Sequence, residues 1–170
     1  AVTVDLVAGT ARSTAANDAA LIGVDTLSGV NKIVGSDYND LLIGGLAANN
    51  ALEVFQGNAG NDTFVGGFGF DRASYASDAS MTAWLYDGSK ISMLDDGNPN
   101  SIFMFTQGIN VNLAAGTVHG DANYTGNDSL SGIESVYGTI LNDTYDATGF
   151  SGTSANAGSS GTYNEFQGEA

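Results

Sequence analysis

Two consecutive nine-residue segments carry the residues best suited to chemistry in this sequence. Residues 57–65 read GNAGNDTFV and residues 66–74 read GGFGFDRAS, with glycine at the first and fourth positions and aspartate at the sixth. Both fit the pattern G-G-x-G-x-D-x-U-x, where U is a large apolar residue, although Ala73 is small for that position. Carboxylate and backbone carbonyl oxygens are the ligands that Ca²⁺ prefers. The pattern therefore predicts calcium binding at Asp62 and Asp71.

Two looser copies of the pattern occur elsewhere in the chain. Residues 35–43 and 138–146 each begin with glycine and place aspartate, Asp40 and Asp143, at the sixth position. Clusters of Gly, Asn and Asp also form ordinary turns without any metal. For these two copies, a structural turn and a calcium site remain equal alternatives.

The pattern also predicts the elements that would position these aspartates. Six residues rich in Gly, Asn and Asp turn the chain sharply, and the next three form a short strand whose middle side chain points inward. Successive copies would wind a flattened parallel coil in which turns on the same side are stacked. Residues 44–56 can be interpreted as one longer turn of this coil, with Asn49 in the place of the aspartate.

A calcium ion in such a coil would lie between two turns on the same side. We therefore expect Asp40 to face Asp62 at one edge and Asn49 to face Asp71 at the other. The candidate calcium ligands are Asp40, Asn49, Gly57, Ala59, Asp62, Gly66, Phe68, Asp71 and Asp143.

Internal repetition divides the chain into two units. The segment VDLVAGT at residues 4–10 returns as VNLAAGT at 111–117, and DTLSGV at 25–30 returns as DSLSGI at 128–133. We expect a first unit at residues 1–107 and a second, truncated unit at 108–170. The first unit contains an apolar insertion at about 77–107, where Asp87-Gly88 is a hairpin signal.

Apolar residues at matching positions of the two units are expected to line the interior. These are Val4, Leu6, Leu27, Ile33, Leu42, Phe64, Val111, Leu113, Leu130, Val136 and Tyr145. Abundant glycine (24 residues) and a single proline, with few charged residues, favour tight turns over helices. The predicted fold class is all-β: a parallel β-roll or β-solenoid with calcium-binding turns and a hairpin-like insertion.

The tandem nonapeptides resemble those of the RTX, or haemolysin-type calcium-binding, repeat family. The stretches at 25–36, 71–76 and 81–88 are similar to the linkers between RTX blocks in large bacterial surface proteins. The resemblance implies a parallel roll with Ca²⁺ in its turns. It also implies type I export and folding at the higher calcium concentration outside the cell.

Composition excludes several classes of function. The chain has 19 acidic and 4 basic residues, a formal net charge of -15, so it lacks the basic patch that nucleic acid requires. It has no cysteine, and its only histidine is His119, which excludes thiol and histidine-cluster chemistry. No apolar run approaches the length of a membrane helix. Nothing in the sequence marks a pair of acids as catalytic, so we expect no enzyme activity.

The sequence predicts a non-catalytic, calcium-binding structural module of a secreted or cell-surface bacterial protein. It would serve as a stalk, an adhesin segment or a fibre element. The alternative is the calcium-dependent folding and secretion domain of an RTX enzyme, such as a protease, lipase or polysaccharide epimerase. Expected partners are calcium ions and, through unpaired strand edges, further copies of the chain joined head to tail.

Overall fold

The computed structural model describes residues 1–14, 23–45, 51–76, 84–86, 91–93, 103–105, 107–122 and 125–168. Within these ranges the secondary structure is entirely β, with no helix. The all-β prediction is confirmed. Tight turns account for it: Gly9 and Gly116 adopt φ of 66° and 65°, a region that favours glycine, at equivalent turns of the two units.

Seventeen strands are formed by the described residues. They are β1 Val2–Asp5, β2 Thr10–Ser13, β3 Val24–Thr26, β4 Lys32–Val34, β5 Leu41–Ile43, β6 Leu52–Gln56, β7 Thr63–Val65, β8 Phe70–Ser74, β9 Trp84–Tyr86, β10 Ile91–Met93, β11 Phe103–Phe105, β12 Asn110–Asn112, β13 Thr117–His119, β14 Asn127–Ser131, β15 Ser135–Tyr137, β16 Thr144–Asp146 and β17 Glu165–Gln167.

Most strands belong to two sheets. The larger sheet has nine strands in the order β16-β12-β13-β14-β7-β5-β1-β2-β3, and the smaller has five in the order β17-β15-β8-β6-β4. From β4 to β8, and again from β14 to β17, consecutive strands alternate between the two sheets. Every pair in the five-stranded sheet is parallel. The third sheet, β11-β10-β9, is antiparallel, and Tyr86 pairs with Ile91 across β9 and β10.

The parallel β-roll predicted from the sequence is wrong. A uniform roll would give two parallel sheets of equal size, whereas the nine-stranded sheet is mixed and neither sheet closes. The antiparallel runs β1-β2-β3 and β12-β13-β14 add strands to this sheet alone. The nine-residue period that suggests a roll holds only over residues 57–74, and the hairpin turns at Gly9 and Gly116 interrupt it. The result is a compact arrangement of two unequal sheets.

The strand pairing recurs along the chain. The run β1-β2-β3 corresponds to β12-β13-β14, and the parallel pair β1 with β5 corresponds to β12 with β16. In the other sheet, β4 with β6 corresponds to β15 with β17. The two sets join where β14 pairs with β7 and β15 pairs with β8.

The core lies between the two sheets and consists of the middle residues of short strands. Leu42, Phe64 and Val136 are fully buried, and the rings of Phe55 and Phe64 stack with centroids 6.2 Å apart. The predicted interior positions are confirmed: Leu6, Leu27 and Tyr145 pack half-buried against the core, and the others are buried.

Phe64→Ala should destabilise the protein by about 3–5 kcal/mol, because it leaves a cavity at the centre of the core. Thermal or denaturant unfolding measures the loss. Val7→Ala, at a side chain that is 56% exposed, is the control and should change stability by less than about 0.5 kcal/mol. Equal effects of the two substitutions would contradict the position of the core.

Candidate cation site

Acidic side chains occupy the interior next to the core. Each lies two residues before a buried apolar residue, as Asp62 does before Phe64 and Asp71 before Ala73. Residues two apart along a strand share a face, so the acid points inward with its apolar neighbour. The six acids of this type that are at most 4% exposed are Asp40, Glu53, Asp62, Asp71, Asp128 and Glu134.

Three of these acids form a first row along the nine-stranded sheet. The backbone N–H of Asp40 donates to Oδ1 of Asp62, and that of Asp62 donates to Oδ1 of Asp128, both at 2.8 Å. The row ends on Tyr75, whose hydroxyl donates to Oδ2 of Asp128 at 2.9 Å, and on Val2, whose N–H donates to Oδ1 of Asp40 at 2.6 Å. The structure thus brings Asp40 and Asp62 together.

The other three acids form a second row along the five-stranded sheet. The N–H of Asp71 donates to Oε2 of Glu134 at 3.0 Å, and that of Gly45 donates to Oε2 of Glu53 at 2.8 Å. The charges of Glu134 and Glu53 both act on Asp71, which places all three in one electrostatic group. Asn49, the predicted partner of Asp71, lies outside the described residues.

The glycine that opens each turn makes room for the carboxylate five residues later. A Cβ added to Gly57 would overlap Oδ2 of Asp62, and one added to Gly66 would meet Oδ2 of Asp71. The same relation joins Gly35 to Asp40 and Gly138 to Asp143. Glycine at the first position and aspartate at the sixth therefore form one steric unit.

Several carboxylate oxygens in the two rows have no hydrogen-bond partner. They are Oδ2 of Asp62, both oxygens of Asp71 and Oε1 of Glu134. An ionised carboxylate that is buried without a donor or a counter-charge is strongly disfavoured. Asp71 and Glu53 can form a hydrogen bond with each other, but only when one of the two carboxyl groups is protonated and acts as the donor. At neutral pH the rows require either protons or a cation.

The pKa values express this requirement. Burial raises the pKa of Asp62, Asp71 and Asp128 to about 7 each. The charges of Asp128 and Asp40 raise the pKa of Asp62 further, while the donated N–H of Asp40 opposes the rise. Burial also raises the pKa of Glu134.

Within the described ranges, basic side chains do not neutralise the rows. One ion pair forms there, between Nη2 of Arg72 and Oε1 of Glu165 at 3.1 Å. Arg72 also donates through Nε to the hydroxyl of Ser135. The two rows therefore place six acids in the interior without a paired basic group in this part of the chain.

In the turns that begin at Gly35 and Gly138, the aspartate carboxylate accepts hydrogen bonds from the residue that follows the glycine. Asp143 accepts the N–H of Ile109 and both the N–H and the hydroxyl of Thr139, each at 2.8 Å. Asp40 is held in the same way by the N–H and hydroxyl of Ser36. These carboxylates act as turn caps, whereas Asp62 and Asp71 retain free oxygens.

The remaining predicted ligands lie in the tandem turns. Gly57 and Gly66 are buried at the starts of the turns, Ala59 is half-buried, and the side chain of Phe68 is 62% exposed. The described residues contain no group of three or more His, Cys, Asp or Glu side chains arranged to hold a metal ion. Any ion would therefore need backbone carbonyl or water oxygens in addition to the carboxylates.

Sequence reasoning missed half of the two rows. Glu53, which is 4% exposed, was not among the predicted ligands. Asp128 and Glu134 were not predicted at all. The signal that finds all three is an acid two residues before an inward apolar residue, here Phe55, Leu130 and Val136.

Calcium-free protein should lose stability as pH rises. The carboxyls of Asp62, Asp71 and Asp128 bind protons more tightly in the native state, with pKa about 7, than in the unfolded chain. Their contribution is complete below about pH 4 and is lost as pH rises through about 7. Thermal melts in a chelator at constant ionic strength measure it. The double variant Asp62→Asn, Asp71→Asn should flatten the profile; a wild-type profile that rises with pH would contradict the assignment.

Gly57→Ala should destabilise the protein by about 1–3 kcal/mol, because the new methyl group and the Asp62 carboxylate compete for the same space. Gly152→Ala is the matched control, since nothing lies within 4 Å of its Cβ position. Chemical denaturation of both variants gives the comparison. Equal stabilities would show that the carboxylate does not pack against Gly57.

Comparison with known proteins leaves the site without an assigned family. No family model matches the chain, and no curated protein matches it. Within the described part of the chain, no helix is long and apolar enough to cross a membrane.

Proposed function

We propose that the chain is a calcium-binding structural module with no catalytic role. One observation carries the proposal: Oδ2 of Asp62 and both carboxylate oxygens of Asp71 are buried and have neither a hydrogen-bond donor nor a basic partner among the described residues. A divalent cation is the ligand that such oxygens select, and hard oxygen donors favour Ca²⁺ over transition metals.

Each of the two rows would form its own cation-binding region. In the first row, Asp62 has the free oxygen and Asp128 and Asp40 lie on either side along the sheet. In the second row, Asp71 and Glu134 have free oxygens and Glu53 lies on the adjacent strand. Bound Ca²⁺ would supply positive charge in place of protons and so join neighbouring strands of each sheet.

This chemistry couples folding to calcium. A cation that binds only the native rows stabilises the fold by mass action, and it removes repulsion in a chain of net charge -15. Such a module would be stable where calcium is abundant, as it is outside cells. We therefore propose a place in a secreted or cell-surface protein, as a stalk, adhesin segment or fibre element.

Calcium should raise the melting temperature at pH 7.5 by several degrees, and magnesium at equal ionic strength should raise it much less. Calorimetry and circular dichroism during a calcium titration measure the binding and the stabilisation. Asp62→Asn and Asp71→Asn should each make calcium-free protein more stable, because a buried charge is removed, while reducing the calcium response.

Asp37→Asn is the control for this experiment, because the same chemical change at an exposed turn residue should leave the calcium response intact. A wild-type protein that neither binds calcium nor gains stability from it would disprove the proposed function. Loss of the response in the Asp37 variant alone would place the ion elsewhere.

A further inference from the structure

The chain contains a complete example of one repeat unit docked on another. In the nine-stranded sheet, Leu130 of β14 lies opposite Phe64 of β7, and in the other sheet Val136 of β15 lies opposite Ala73 of β8. The N–H of Asp62 donates to Asp128 across this junction. Strands β14 and β15 are therefore the edge of the second repeat unit, and this edge pairs with strands of the first unit that follow a glycine-aspartate turn.

The first unit has the same edge, but it is exposed. Asp25 and Leu27 are the counterparts of Asp128 and Leu130, and Val34 is the counterpart of Tyr137. Strands β3 and β4 each end a sheet, and no described strand pairs with their outer sides. We call β3 and β4 the first end. Its exposed side chains include Val24 at 71% and Val34 at 50%.

The opposite end of the molecule carries the matching strands. Strands β16 and β17, which we call the second end, are the terminal strands of the two sheets among the described residues. A turn of the same type precedes β16, with Gly138, Asp143 and Tyr145 at the positions of Gly57, Asp62 and Phe64. In the nine-stranded sheet, the second end therefore offers the type of strand that β14 accepts from β7.

We propose that the first end of one copy binds the second end of another copy, head to tail. The register of the internal junction then sets β16 of the second copy beside Leu27 and β17 beside Ile33. This places Glu165 of β17 opposite Lys32 of β4. The inference goes beyond the proposed function, because it assigns a partner and a strand register, and it rests on that function only where the junction would bury Asp25.

Charge distribution favours this occupant. The first end carries Lys32 and, on the adjacent strand, Arg12, both exposed, in a chain with only four basic residues. The second end carries Asp146 and Glu165, and Glu165 also forms an ion pair with Arg72 of its own copy. Opposite charges that face each other across strands are stabilising, and like charges are destabilising. Because the two ends differ from one another, the contact is heterologous and would build a chain or a ring of copies rather than a symmetric dimer.

Sedimentation velocity of the full chain over a concentration series tests the proposal, once with calcium and once with a chelator. We expect mass to increase with concentration in calcium. Val34→Asp should weaken the association about tenfold or more, because a charge on an exposed edge strand opposes the addition of another strand. Thr63→Asp adds the same charge at an exposed side chain of β7, the middle strand of the nine-stranded sheet, and should leave the association unchanged.

Charge exchange tests the register. Lys32→Glu and Glu165→Lys should each weaken self-association, and an equimolar mixture of the two variants should restore it, because each then offers the other an opposite charge. Thermal melts followed by circular dichroism verify that both variants fold, which is needed for Glu165→Lys because it also removes the ion pair with Arg72. A chain that stays monomeric in both conditions, an association unaffected by Val34→Asp, or no rescue in the mixture would overturn the proposal. Rescue without calcium binding would instead disprove only the proposed function.

Discussion

Burial of carboxylates beside the apolar core is the constraint on which the rest of the structure depends. The strand geometry that points Leu42, Phe55 and Phe64 inward also points the acid two residues earlier inward. Backbone N–H groups of neighbouring strands satisfy part of each carboxylate, as in the contact from Asp40 to Asp62. These N–H groups cannot supply a donor to every carboxylate oxygen, since each residue has only one backbone N–H. The unsatisfied remainder makes the stability of the fold depend on protons or a cation.

The glycines follow from the same constraint. The carboxylate of Asp62 can fold back into its own turn only because Gly57 has no side chain there. A larger residue would push the carboxylate away from the neighbouring strand, where it accepts the N–H of Asp40. The spacing of glycine and aspartate in the nonapeptide thus has a steric cause within one turn. It does not by itself require a regular coil, which explains why the motif occurs in a mixed sheet.

Local features could be predicted from the sequence, and long-range ones could not. Phe64 and Leu42 were predicted correctly because a three-residue strand with one apolar centre has only one way to bury it. The β-roll prediction was wrong because residues 4–10 and 111–117 form antiparallel hairpins, whereas a roll would need parallel strands there. Strand length alone does not distinguish the two arrangements. Glu53 was missed because its burial depends on pairing with β8, which the residues around Glu53 do not indicate.

Stacking and charge are linked through the counterparts Asp25 and Asp128. The two residues occupy equivalent places in the repeat, yet Asp25 is exposed while Asp128 is 2% exposed, because β7 covers only the latter. A carboxylate therefore enters a row only when a neighbouring strand is added to its edge. Each added strand buries another acid and so increases the demand for a cation. If copies join at the first end, Asp25 would change from a solvated acid to a member of the first row, and assembly and cation binding would favour each other.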